Sequence, residues 1–157
     1  MNEDKKDFNA RLNDSKDMPK IIEMTDEKGI KQWGGSKLLI APPIDYDKYM
    51  KLVPKGKLIT TNEIRAKLAK DYNAEVCCPL TAGIFVQIAA WASYQRKTDE
   101  TPYWRTLKAN GELNKKYPEA FELQKKKLEE EGHTIIEKGK SDKKYFVKDF
   151  EKKLFDL

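Results

Sequence analysis

The sequence predicts a mixed α/β domain, mostly helical, in which two consecutive helices and a C-terminal hairpin follow an extended N-terminal arm. Three observations carry this expectation. Thr60-Thr61-Asn62-Glu63 has the form of a capping box, in which a Thr hydroxyl accepts from the third helical N–H while a Glu reaches back to the cap. Downstream, Ala82, Phe85, Val86, Ala89, Ala90 and Ser93 recur at helical spacing and make a small, closely packable face over Thr81 to Gln95. Near the end, Thr134-Ile135-Ile136 and Tyr145-Phe146-Val147 flank Gly139-Lys140-Ser141-Asp142, which is the pattern of a β-hairpin.

The elements follow in order. Residues 1–17 are poor in apolar side chains and rich in Asp, Asn and Lys, so disorder is expected there. Residues 18–44 hold Met18-Pro19, Gly34-Gly35 and Pro42-Pro43 around short apolar pieces, which predicts an arm packed on the domain with a short strand. Asp45 is positioned to cap a helix over Tyr46 to Leu52, which Pro54-Lys55-Gly56 ends. Lys57 to Ile59 is an extended link into the capping box. The helix it opens carries Ile64, Leu68 and Ala69 on one face and closes at Tyr72-Asn73. A turn through Cys77-Cys78-Pro79 leads to the second helix, and two helices so joined form a helix-turn-helix-like unit. Pro102 begins a loop, because proline lacks the N–H and restricts the residue before it. Ala109-Asn110-Gly111 is a turn, Phe121 to Glu131 a helix with Gly132 as its C-terminal cap, and Phe150 to Phe155 a last helical turn. The division expected is an arm over 1–44 and a domain over 45–157.

Composition narrows the function. Of 157 residues, 31 are Lys or Arg and 26 are Asp or Glu, so the net charge of +5 mildly favours a polyanionic partner while most charge is mixed-sign surface. Lys125-Lys126-Lys127 ahead of Glu129-Glu130-Glu131 gives (i, i+4) pairs on a solvated helix face. No apolar run is long enough to span a bilayer and the N-terminus lacks the apolar centre of a signal peptide, so neither a membrane partner nor export is expected. Cys77 and Cys78 are adjacent and pair poorly with each other, which fits a reducing cytoplasm. With His133 as the single histidine, neither a metal site of ordinary ligand count nor a Ser-His-Asp triad is expected, and no cofactor is implied.

The most unusual stretch is Thr101-Pro102-Tyr103-Trp104-Arg105. An aromatic pair beside a guanidinium can stack on a base, hold phosphate, or plug a core. Its surroundings decide which.

In sequence order, Val53-Pro54-Lys55-Gly56-Lys57-Leu58-Ile59-Thr60-Thr61, Glu63-Ile64, Ala82-Gly83, Pro102-Tyr103-Trp104-Arg105, Gly111, Gln124 to Leu128 and Glu131-Gly132 resemble the DNA-binding domain of O6-alkylguanine-DNA alkyltransferases, over roughly residues 45–136. They look closest to the alkyltransferase-like relatives that lack the acceptor cysteine. The resemblance implies a winged helix-turn-helix domain that binds double-stranded DNA through the minor groove. It implies a monomer that recognises alkylated guanine, transfers nothing, and marks the lesion for other repair proteins. Where the transferases read Pro-Cys-His-Arg, Tyr103 stands in the cysteine position and Trp104 in the histidine position, and a phenol is a poor nucleophile beside a His-activated thiolate. By the same resemblance Tyr103, Trp104, Arg105, Tyr117 and Glu131 form the lesion pocket, and Thr61, Leu80, Thr81, Ala82, Gly83 and Gln87 meet DNA. Leu80 stands where the family has the arginine that fills the stack after base flipping, and Thr61 where it has a phosphate-distorting tyrosine. The residues taken alone favour Leu80 as a core leucine, with an apolar wedge as its alternative. Two rival readings remain: an active transferase using Cys77 or Cys78, and an interaction module that no longer binds DNA.

Overall fold

The structure, a computed structural model, describes residues 5–157. Six α-helices and three small sheets make up the described residues. The chain opens with α1 (Phe8–Asn13), whose first turn is held by the Asp7 carboxylate accepting from the Ala10 N–H at 3.0 Å. Strand β1 (Lys20–Glu23), helix α2 (Glu27–Trp33) and strand β2 (Lys37–Ile40) follow. Then come α3 (Pro43–Met50), β3 (Ile59–Thr60), α4 (Thr61–Asp71), β4 (Val76–Cys77) and α5 (Pro79–Arg96). A single 3₁₀ turn at Tyr103–Arg105 leads into β5 (Thr106–Leu107), then α6 (Ala120–Glu130), β6 (Ile135–Lys138), β7 (Lys144–Val147) and a last 3₁₀ turn at Phe150–Lys153.

Helix α5 is the axle of the core, because its small side chains allow neighbours to approach. Ala82, Val86, Ala89, Ala90, Ala92 and Ser93 are buried along it, and α1, α3 and α4 pack around it. Tyr46, Met50, Ile64, Leu68, Leu107, Leu113 and Leu128 fill the space between these helices and the C-terminal elements. The capping box forms as expected at its carboxylate: Glu63 accepts from the Thr60 N–H at 3.1 Å and from the Thr60 hydroxyl. Gly132 takes the left-handed conformation, φ +92°, just after α6. The hairpin β6–β7 is antiparallel with Ile136 opposite Phe146. No helix among the described residues is long and apolar enough to cross a membrane.

The N-terminal arm differs most from expectation. Disorder was expected over residues 1–17; residues 1–4 lie outside the described residues, but Phe8 and Leu12, one helical turn apart, are buried in the core. Composition counts apolar residues without weighing their spacing, and two at (i, i+4) suffice to anchor a short helix. Residues 18–44 form more than an arm with one strand: β1 pairs antiparallel with β2, β2 pairs parallel with β4, and α2 fills the connection. Helix α3 also begins earlier than Asp45. Pro43 occupies its first turn, where a missing N–H costs nothing, and Asp45 instead accepts from the Tyr72 hydroxyl at 2.5 Å.

Candidate nucleic-acid interface

Helix α5 has two unlike faces. Its inner face is the small-residue face just described. Its outer face carries Leu80, Ile84, Gln87, Trp91 and Tyr94, spaced so that all five point the same way. Leu80 is 65% exposed and Ile84 54%, two large apolar side chains uncovered one turn apart. This corrects the core-leucine expectation for Leu80. It also corrects Ala82, proposed for DNA contact but 1% exposed and turned inward. Helix phase explains both, since Ala82 lies about 160° from Leu80 once two residues are counted as half a turn or more. Gly83 belongs to the outer side, and a Cβ added there would meet no atom within 4 Å, so another backbone can come close. Gln87 and Thr61 are half-buried beside it, and the Thr81 hydroxyl turns back to the Cys78 carbonyl at 3.4 Å.

Basic residues frame this face. A shallow depression of about 500 Å³ between α4, α5 and the hairpin is lined by Thr61, Gly83, Gln87, Lys108, Lys116 and Lys144 among others. Lys115 and Lys116 also border a second depression, about 600 Å³, on the α1 side of the helix. Acids are present but fewer: Glu112 and Asp142 in the first, Glu119 in the second. Lys115, Lys116, Ile84, Trp91 and Tyr94 were not singled out from sequence. The spacing 80, 84, 87, 91, 94 carries the signal for the outer stripe.

The Tyr103–Arg105 turn sits at the other end of α5, held in place by hydrogen bonds from several elements. The Thr101 hydroxyl donates to buried Asp47 at 2.6 Å, and its N–H donates to Ser93 Oγ of α5 at 2.8 Å. Tyr103 and Trp104 are 4% and 5% exposed, so both are core. Tyr103 meets Trp104 and Tyr117 edge-on, with ring centroids 5.5 and 5.3 Å apart. The Trp104 indole N–H donates to Glu131 at 2.9 Å, and Arg105 reaches the same carboxylate through Nε at 3.0 Å and Nη2 at 2.7 Å. Arg105 Nη1 donates to the Val53 carbonyl at 2.8 Å, and the Gly56 N–H donates to Glu131 at 3.3 Å. Fully buried Gln124 donates to the Trp104 carbonyl at 3.2 Å and accepts from the Asn114 N–H at 2.8 Å. Tyr117 donates to the Thr106 carbonyl at 3.0 Å.

Burial opposes the charge on Glu131, yet the bonds from Arg105 and Trp104 outweigh it and hold the carboxyl below the usual carboxylate range. Tyr103 is shifted the other way: burial first, then the nearby Tyr94, Glu119 and Glu100, push its phenol well above the ordinary tyrosine range. A cleft of about 340 Å³ opens beside Tyr103 and Trp104, bordered by Tyr94, Lys97, Glu100 and Lys127. Of the five residues expected to form one pocket, only Tyr103 and Trp104 border this cleft. Tyr117 borders the α1-side depression, and Arg105 and Glu131 form an ion pair that borders neither.

Cys77 and Cys78 are both buried and unbridged. Burial raises the Cys77 thiol, which lies 3.1 Å from the Tyr46 hydroxyl. Neither cysteine borders the cleft at Tyr103.

Compared with protein-family models and with curated proteins, the chain matches none. Two solved structures are similar in fold: Atl1 of S. pombe in complex with damaged DNA containing O6-carboxymethylguanine, and ATL of S. pombe in complex with DNA. They are 22% and 21% identical, cover 73% of this chain and 94% of theirs, and have a TM-score of 0.49 in both cases.

Proposed function

We propose that the chain binds duplex DNA with the outer face of α5 in the minor groove, and that it recognises alkylated guanine without accepting the alkyl group. The observation that carries the reading is that outer face, an uncovered helix side with a bare glycine at its centre and lysines along both edges. Small residues permit close backbone approach to a groove, and lysines at the rim meet phosphates. The order of sequence pieces that resembles the alkyltransferase family supports the same reading.

Lesion recognition is assigned to the cleft beside Tyr103 and Trp104, where an extruded base would rest against aromatic edges. Trp104 has two cations over its ring, Lys127 4.9 Å and Arg105 5.4 Å from the centroid. Arg105, Tyr117 and Glu131 then act from behind this wall as positioning residues. No acceptor is poised there, since Tyr103 stays a neutral phenol and both thiols are buried elsewhere. In this reading the chain works as a monomer in a reducing cytoplasm and hands the marked lesion to other repair proteins.

The test is a titration of alkylated and unmodified duplex at two salt concentrations. Expected are micromolar affinity for plain duplex, a shallow salt dependence with a log-log slope of about −0.9 per phosphate neutralised, and tighter binding of the alkylated duplex. Intact-protein mass after incubation should show no added methylene. Equal binding of both duplexes would end the lesion reading. The exposed apolar stripe favours one rival, a protein-docking module, and failure to bind either duplex would select it.

A further inference from the structure

We propose that the N-terminal segment carrying Lys6 and Arg11 is the second phosphate-contacting bank of the α5 face, facing the Lys115–Lys116 bank across the helix. This rests on the duplex-binding reading above and adds residues outside the resemblance. The groove between the two banks, about 600 Å³, has an apolar floor of Phe8, Ile84, Ile88 and Trp91. Among the described residues its rim holds Lys6, Arg11, Lys115 and Lys116 beside the carboxylate of Glu119. Four cations around an uncovered helix side fit a partner with anions on both edges, as the two strands of a duplex present across one groove.

The groove is built rather than incidental, because Trp91 ties both banks to α5. Its ring stacks on Phe8 of α1, centroids 5.6 Å apart at 26°, and its indole N–H donates to the Lys116 carbonyl at 2.9 Å. Arg11 lies over the same Phe8 ring, 5.5 Å from its centroid. Gln95 fixes the start of the segment by accepting from the Phe8 N–H at 3.0 Å and donating to the Lys6 carbonyl at 2.8 Å. Asn9 donates to the Ala92 carbonyl at 2.9 Å and accepts from Arg96 at 3.2 Å. These bonds engage the backbone of Lys6, and Lys6 and Arg11 both line the groove. Arg11, Lys115 and Lys116 take part in no ion pair among the described residues.

The experiment measures Kd for an unmodified duplex across a salt series, with the full chain and four double variants. Lys6→Ala/Arg11→Ala should lower the magnitude of the log-log slope by about 1 to 2, as should Lys115→Ala/Lys116→Ala. Lys28→Ala/Lys31→Ala, the same charge change on exposed α2 positions away from the groove, should leave the slope near the parent's. Lys6→Arg/Arg11→Lys should bind like the parent, which separates loss of charge from loosening of α1. If Lys6→Ala/Arg11→Ala behaves like the α2 control while Lys115→Ala/Lys116→Ala lowers the slope, this proposal falls and duplex binding stands. If the parent binds no duplex, both fall, and an acidic protein segment becomes the better occupant of the groove.

Discussion

The two sides of α5 share one helix but differ in side-chain size, and they do opposite things. The inner side spends Ala82, Ala89, Ala90 and Ala92 on close contact with α1, α3 and α4. The outer side leaves Leu80 and Ile84 in water, beside a glycine with open space at its Cβ. A domain gains about 1.5–3 kcal/mol by burying such a side chain, so leaving two uncovered on adjacent turns is a cost that folding alone does not explain. The difference teaches that small residues on this helix build the core, whereas its large ones are what a partner meets.

The sharpest way to test that contrast is to place one charge on each side. Ala90→Asp, at a fully buried position, would bury an unpaired carboxylate and should destabilise by more than about 4 kcal/mol, enough to prevent a cooperative urea transition. Leu80→Asp should change stability by no more than about 0.5 kcal/mol. It should nonetheless abolish measurable duplex binding by opposing phosphate. Comparable destabilisation by the two variants would show that the outer side is packed in solution and would undo the comparison.

A second contrast lies between the α5 face, open to solvent, and the Tyr103–Arg105 turn, which is tied down by hydrogen bonds. These bonds centre on Glu131, acceptor for Trp104, Arg105 and the Gly56 N–H. Glu131→Ala would strand the Arg105 guanidinium and should cost about 3 kcal/mol in chemical denaturation. The pH dependence has a definite sign. Because the folded carboxyl titrates below its unfolded value of about 4.3, its contribution is fully present above that value and is lost as pH falls through the lower folded one. Stability of the parent should therefore drop more steeply than that of Glu131→Gln as pH falls below about 4. Parallel pH profiles would show that the carboxylate charge does not hold the turn.

How much of this was readable beforehand follows the range of the interactions. Helices α4 and α5 were legible because their signals are local: a capping box at Thr60–Glu63 and a repeat of small residues at helical spacing. The hairpin was legible from its period and its glycine. The arm was not, because β1 and β2 exist through pairing with β4, whose Val76 and Cys77 lie almost forty residues from Leu38 and Leu39. Leu80 and Ala82 illustrate a finer limit. The helix was evident, but which side faces the core is set by partners that its own residues do not name. Arg105, which the resemblance puts in the pocket, makes its bonds to Val53 and Glu131, partners that lie far from it in sequence.

At the outer face, Ile84→Ala should be milder than a charge. It removes part of an exposed apolar side chain from the stripe, so stability should stay within about 0.5 kcal/mol while duplex affinity falls by about tenfold, equivalent to 1.4 kcal/mol. The loss should be equal for alkylated and plain duplex, since Ile84 does not border the Tyr103 cleft. Loss confined to the alkylated duplex would place lesion recognition on the α5 face and remove the division of labour between the two regions.

The smallest expected effect separates two ways in which the cleft could read a base. Tyr103→Ala is a blunt test, because this 4%-exposed ring packs edge-on against Trp104 and Tyr117 and its removal should cost about 3–5 kcal/mol along with any recognition. Tyr103→Phe keeps the ring and both edge contacts and removes only the hydroxyl. That hydroxyl makes no hydrogen bond within the described residues, so stability should change by less than about 1 kcal/mol. If recognition comes from the aromatic wall, worth about 1–3 kcal/mol per stacked base, Tyr103→Phe should keep the preference for alkylated over plain duplex. The stability side is checked by denaturation and the recognition side by competition between the two duplexes. A Tyr103→Phe variant that folds normally but loses the preference would transfer recognition from the ring to its hydroxyl, and the raised affinity of that phenol for its proton would then make it a hydrogen-bond donor to the lesion throughout the neutral range.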